Sequence, residues 1–148
     1  MFWIITSIAI LFIGYLIIKD PSIVKKSISY SYYESRETAV IWGSFAGVIG
    51  MLIAFSYPSP LTLIAGICLL LVPIFGNFNK KPITYIHYTL ALAFYGLMLY
   101  YTGAFLTALP YVTIFLILNI KRFKYVSTFW LEVVGIAIIL IELYIKTM

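Results

Sequence analysis

Long apolar runs broken by short polar or turn-forming clusters make up nearly all of this chain. Phe2–Ile18 is the first run, and at roughly 1.5 Å per residue it gives about 25 Å of helix, close to the thickness of a bilayer core. Thr38–Tyr57, Leu61–Gly76, Ile83–Tyr101, Ala104–Ile120 and Val126–Ile145 follow. Pro58-Ser59-Pro60 reads as a tight turn. Asn77-Phe78-Asn79-Lys80-Lys81-Pro82 and Lys121-Arg122-Phe123-Lys124 read as loops. Residues 83–120 are too long for one crossing, and Thr102-Gly103 is where the chain is expected to turn. The prediction is an all-α fold: a polytopic transmembrane helical bundle of six spans, forming one domain over residues 1–148.

The one long polar stretch is Lys19–Glu37, KDPSIVKKSISYSYYESRE. Asp20 and Pro21 have the residue types of an N-cap and a first helical position. The mixture of Ile, Val and Tyr with Ser, Lys and Glu that follows suits an amphipathic segment lying in the interface, with tyrosines at headgroup depth. The alternation Ser27-Ile28-Ser29-Tyr30-Ser31-Tyr32 fits an extended strand as well. The first run has no basic residues before it and no small-residue cleavage site after it, so a retained helix is expected rather than a signal peptide.

Composition removes the soluble classes. Hydrophobic residues make up 64% of the chain and charged residues 10%, against about 25% charge in a soluble domain. The net charge of +5 does not point to nucleic acid, because the basic residues sit at the ends of apolar runs. With six spans, Lys19, Lys25, Lys26, Arg36, Lys80, Lys81, Lys121, Arg122 and Lys124 fall on one side and Lys146 on the other. The positive-inside rule then predicts a multi-pass protein of the cytoplasmic (inner) membrane with both termini non-cytoplasmic. Tyr57, Tyr100, Tyr101 and Tyr144 would mark the outer interface, and Tyr85, Tyr125 and Trp130 the inner one.

In the second run, Gly43, Gly47, Gly50 and Ala54 fall within about 60° on a helical wheel. A stripe of small residues lets another backbone come close, and the partner is a helix of the same chain, a second copy or another protein. On the sixth run Thr128, Glu132, Gly135, Ile139 and Glu142 form a second stripe, within about 80°, that should face the bundle.

Polar side chains inside a bilayer need partners or a function. His87 and Glu132 lie at similar depth below the basic side, so a hydrogen-bonded pair is expected, with Asn119 and the Ser27–Glu34 segment near enough in depth to join. Such a group fixes helix register or binds a ligand or proton; two independent snorkelling side chains are the alternative. The candidate ligand contacts are His87, Glu132, Ser29, Tyr33, Glu34 and Asn119. Membrane lipid is the expected partner, and no cofactor is expected. One histidine cannot supply the three protein ligands of a catalytic zinc, no glycine-flanked serine elbow is present, and no glycine-rich phosphate loop appears. Cys68, the single cysteine, reads as a buried, inert thiol.

The run PSIVKKSISYSYYES and the later IHYTLALAF together resemble a group of small polytopic membrane proteins of Bacteroidetes-type bacteria and their phages. There a Ser-Ile-Ser-x-x-Tyr-Tyr run follows the first helix and a His-Tyr pair opens a later one. That resemblance implies a membrane bundle and carries no activity. The chain is more distantly similar to the superfamily of alkaline ceramidases and adiponectin-type receptors, which use a serine, an aspartate and three histidines around zinc. His87 is the sole histidine here, and the intramembrane aspartate and His-x-x-x-His pair are missing, so the similarity implies no hydrolase site. The leading expectation is a non-enzymatic membrane scaffold, accessory subunit or phage-membrane component. A lipid- or small-solute-handling protein centred on His87 and Glu132, a transporter or hydrolase-like enzyme, is the second. An ion or proton channel is the third.

Overall fold

The computed structural model describes residues 2–25, 36–75, 81–119 and 128–148. Among them the chain is all-helical: α1 (Phe2–Lys19), a 3-10 turn (Pro21–Lys25), α2 (Arg36–Ser56), α3 (Pro60–Leu71), α4 (Lys81–Thr102), α5 (Phe105–Asn119) and α6 (Thr128–Thr147). The expected interfacial segment begins as the 3-10 turn. Asp20 caps it, its Oδ1 accepting from the Ser22 N–H at 2.9 Å, and Ile23 beyond it is fully buried. Residues 26–35, with Ser29, Tyr33 and Glu34, lie outside the described residues.

The breaks between helices follow from local chemistry. Between α2 and α3, Ser59 is extended and its hydroxyl accepts from the Leu61 N–H at 3.2 Å, with Pro60 at the first helical position; this is the cap geometry these residue types favour. The Thr62 hydroxyl donates to the Tyr57 and Ser59 carbonyls, closing the turn beneath. Between α4 and α5, Gly103 takes φ +81°, a left-handed conformation that glycine adopts at little cost.

The helices run alternately up and down. Lys19 at the end of α1 meets Glu37 at the start of α2, Nζ to Oε2 at 3.1 Å. The Tyr15 hydroxyl donates to Glu37 at 3.0 Å and Lys19 donates to Tyr15. At the opposite end the rings of Phe2 and Tyr144 are 4.9 Å apart. There the Lys146 ammonium lies 4.0 Å from the centre of the Tyr101 ring and donates to the Tyr101 carbonyl. The two chain ends thus lie at one end of the bundle.

Inside, α1 contributes Ile5, Ala9, Phe12 and Leu16 from one face, packed on Trp42, Ala46, Ile49 and Ile53 of α2, Phe94 and Met98 of α4, and Ile139 and Leu143 of α6. Outside, large apolar side chains cover the described faces: Ile18 is 84% exposed, Phe55 81% and Leu106 79%. Among the described residues two segments, Phe2–Lys19 and Ala39–Ser56, are long and apolar enough to cross a membrane. Only 22% and 28% of them are buried within the bundle, so neither is wrapped by protein as a soluble core helix would be.

Candidate functional site

The tightest packing lies between α2 and α3, along the glycine stripe. A Cβ added at Gly50 would stand 2.6 Å from the Gly66 carbonyl oxygen, and one at Gly47 would stand 3.1 Å from Leu70 Cδ1. Ala54 borders the same contact, 3.5 Å from a Cβ built on Gly66, whereas Gly43 has nothing within 4 Å. The stripe's close partner is therefore α3 of the same chain.

α3 holds the first difference from the sequence reading. The apolar run continues to Gly76, but the helix ends at Leu71, with Val72 as its C-cap. Pro73 has no N–H to offer the preceding turn, and the chain leaves through Ile74 N–H to Leu71 C=O at 3.0 Å. A helix end leaves carbonyls without intrahelical donors. The Val72 carbonyl is met by His87 Nδ1 of α4 at 2.9 Å. A carbonyl only accepts, so Nδ1 carries the proton in this contact. His87 is 2% exposed.

Tyr95 stands eight residues further along α4, about 80° around the helix from His87. It therefore turns to α6 where His87 turns to α3. The Tyr95 hydroxyl donates to the Glu132 backbone carbonyl at 3.3 Å. Its ring lies where a side chain on Gly135 would be, since a Cβ there would come within 2.9 Å of Tyr95 Cε1. The Tyr111 hydroxyl of α5 donates to the Trp130 carbonyl at 3.1 Å, and Thr107 donates to Glu142 Oε1 at 3.3 Å. Together these bonds fasten α6 to α4 and α5.

Between α1, α2, α3, α4 and α6 lies a cavity of about 70 Å³. Its wall is mainly aliphatic and aromatic, including Ile5, Ile49, Leu69, Phe94 and Ile139, and Glu132 and Trp42 also line it. Trp42 is 6% exposed, and among the described residues its Nε1–H, Thr6 Oγ1 and Ser56 Oγ are buried with no hydrogen-bond partner.

The candidates named from sequence thus separate. Glu132 is in the cavity wall. His87 meets that wall at Val72, whose carbonyl it bonds, and Glu132 meets Tyr95 through its backbone carbonyl. Asn119 ends α5, its side chain outside the described residues along with that of Thr128. Cys68 is buried and forms no disulfide among the described residues. No group of three metal-ligating side chains occurs among the described residues. Sequence reasoning missed Trp42 and Tyr95, although both are aromatic residues with polar atoms set inside an apolar run rather than at its ends, where such residues anchor at interfaces. No family model, characterised protein or solved structure matches this chain.

Proposed function

We propose that the chain is a six-span protein of the cytoplasmic membrane, with both termini non-cytoplasmic, that holds a lipid-like or small apolar solute among its helices. The cavity between five helices is the observation that carries this reading. It is largely apolar with few polar groups, as small-molecule sites commonly are. Two features support the membrane placement: apolar side chains on the outer faces and basic residues gathered on one side of the predicted spans. The glycine stripe, which suggested a scaffold, is taken up at Gly47 and Gly50 by α3, so handling of a solute is favoured over scaffolding.

Native mass spectrometry of the protein released from lipid nanodiscs tests the ligand. One adduct per chain is expected, lost when Ala91→Phe fills the cavity with helix content unchanged. No adduct on the native chain, or equal retention by both, overturns the reading. Topology is tested separately with a membrane-impermeant maleimide on a Cys68→Ala background. Asp20→Cys should react only from the cytoplasmic side, and Pro58→Cys and Met148→Cys only from the other; any other pattern removes the six-span placement.

A further inference from the structure

We propose that the central cavity takes a single unbranched hydrocarbon chain, laid along the helix axes, and turns away branched or ring-shaped apolar groups. This rests on the cavity being a ligand site and adds the shape that it reads.

The cavity is long for its volume. On α2 its wall runs from Trp42 through Phe45 and Ile49 to Ile53, and on α6 from Glu132 to Leu140. At 1.5 Å per residue these walls are about 16 and about 12 Å long. Ile5 and Ala9 of α1 line the cavity toward the end that holds the chain termini, and Leu69 and Val72 of α3 toward the other. A volume of about 70 Å³ has room for about five water-sized groups. Five groups spread over that length lie in single file. Successive methylenes of a straight chain fit such a column, whereas a branch or a ring needs two groups abreast.

The width of the column is held by its walls. Ile5, Ile49, Ile53, Ile136 and Ile139 line it, and side chains branched at Cβ are stiff. The Phe45 ring stacks on Phe12, ring centres 4.1 Å apart. The Tyr95 ring is fixed by its bond to the Glu132 carbonyl and by its seat over Gly135. Gly50 and Gly66 bring the backbones of α2 and α3 together, so the wall that these helices share does not spread. Forcing a branch between stiff walls costs binding as overpacking costs stability. The chain is available from the acyl tail of a membrane lipid and from a free alkane or alkyl tail.

The test reads the methyl resonances of Ile49 and Ile139, which are 6% and 3% exposed, in nanodiscs of straight-chain dimyristoylphosphatidylcholine and of methyl-branched diphytanoylphosphatidylcholine. If a lipid tail is the ligand, both methyls show nuclear Overhauser contacts to chain methylenes in the straight-chain discs and lose them in the branched ones. If a free chain is the ligand, neither lipid gives such contacts. With either source, pentane added to the branched discs shifts both resonances to saturation, and cyclopentane, with the same number of carbons, binds about tenfold more weakly. Ile49→Ala, with helix content unchanged, widens the column and brings the two solutes closer together. The solute pair on the native chain decides if that variant does not fold. Equal contacts from the two lipids, or equal saturation by the two solutes, removes the shape selection and leaves the ligand site standing. If no lipid and neither solute reaches Ile49 or Ile139, both fall. Contacts from water to these methyls that persist with saturating pentane overturn the hydrocarbon chain in favour of a hydrated cavity.

Discussion

Gly50 and Gly66 face each other across the α2–α3 hairpin so closely that a Cβ on either would meet the other's carbonyl oxygen, at 2.6 and 2.5 Å. The obstacle is backbone on both sides, so no side chain can move aside. Gly50→Ala and Gly66→Ala should each separate the hairpin and cost about 1–3 kcal/mol, the usual range for overpacking. Gly43→Ala, with open space around it, should be neutral or stabilise by up to about 1 kcal/mol through helix propensity. Thermal unfolding in detergent, followed by circular dichroism, should separate the three; equal midpoints would remove the close contact.

His87→Phe keeps the ring's bulk and removes the donor to Val72. A buried carbonyl left unmet costs about 1–3 kcal/mol, so the unfolding midpoint should fall. The unwound turn after Leu71 should then exchange its amide hydrogens faster than the middle of α3. A midpoint and exchange pattern equal to the native protein's would show that the Val72 carbonyl needs no help from His87.

Tyr95 and Gly135 should behave as a coupled pair. Tyr95→Phe loses only the bond to the Glu132 carbonyl, about 0.5–1.5 kcal/mol. Gly135→Ala pushes against the Tyr95 ring, so it should be costly alone and mild in a Tyr95→Leu background. A double-mutant cycle should give a coupling of about 0.5–3 kcal/mol; simple additivity would mean that the ring does not rest on Gly135.

At the α1–α2 end, the Lys19 ammonium, followed by the Tyr15 hydroxyl, holds the Glu37 carboxyl below its ordinary value of 4.5. A carboxylate with a lowered folded value contributes stability that is complete above its ordinary value and is lost as the pH falls through the lowered one. Stability should therefore decline on acidification below about pH 4.5, and Glu37→Gln should flatten that part of the profile. The groups are exposed, so about 1 M salt should shrink the effect. An identical acid limb in Glu37→Gln would assign the decline to other carboxyls.

Helix positions were legible because their ends are marked chemically: Lys19 closes α1, Pro58-Ser59-Pro60 separates α2 from α3, and Gly103 parts α4 from α5. The end of α3 was not, since Val72, Ile74 and Phe75 keep the run apolar after Pro73 has stopped the helix. In the site, residue spacing gave depth but not direction. Spacing put His87 and Glu132 at one expected level, yet the angle between His87 and Tyr95 on α4 sends one to α3 and the other to α6. The glycine stripe announced a close neighbour without naming it, because Gly66 stands alone on α3 with no matching glycine spacing. That no described residue accepts from Trp42 depends on what lies around its ring, which no spacing along one helix records.

Twelve residues make α3, about 18 Å of helix, against a hydrocarbon core of about 30 Å. In a six-span arrangement the non-helical Val72–Phe75 turn then falls below the headgroups, where bare backbone survives only against protein. The hydrogen bond from His87 shelters that turn, and lipid beside α3 must shorten to meet it. If the proposed six-span placement holds, the protein suits thin bilayers and one side of it draws the inner leaflet inward, with thicker membranes working against the short helix.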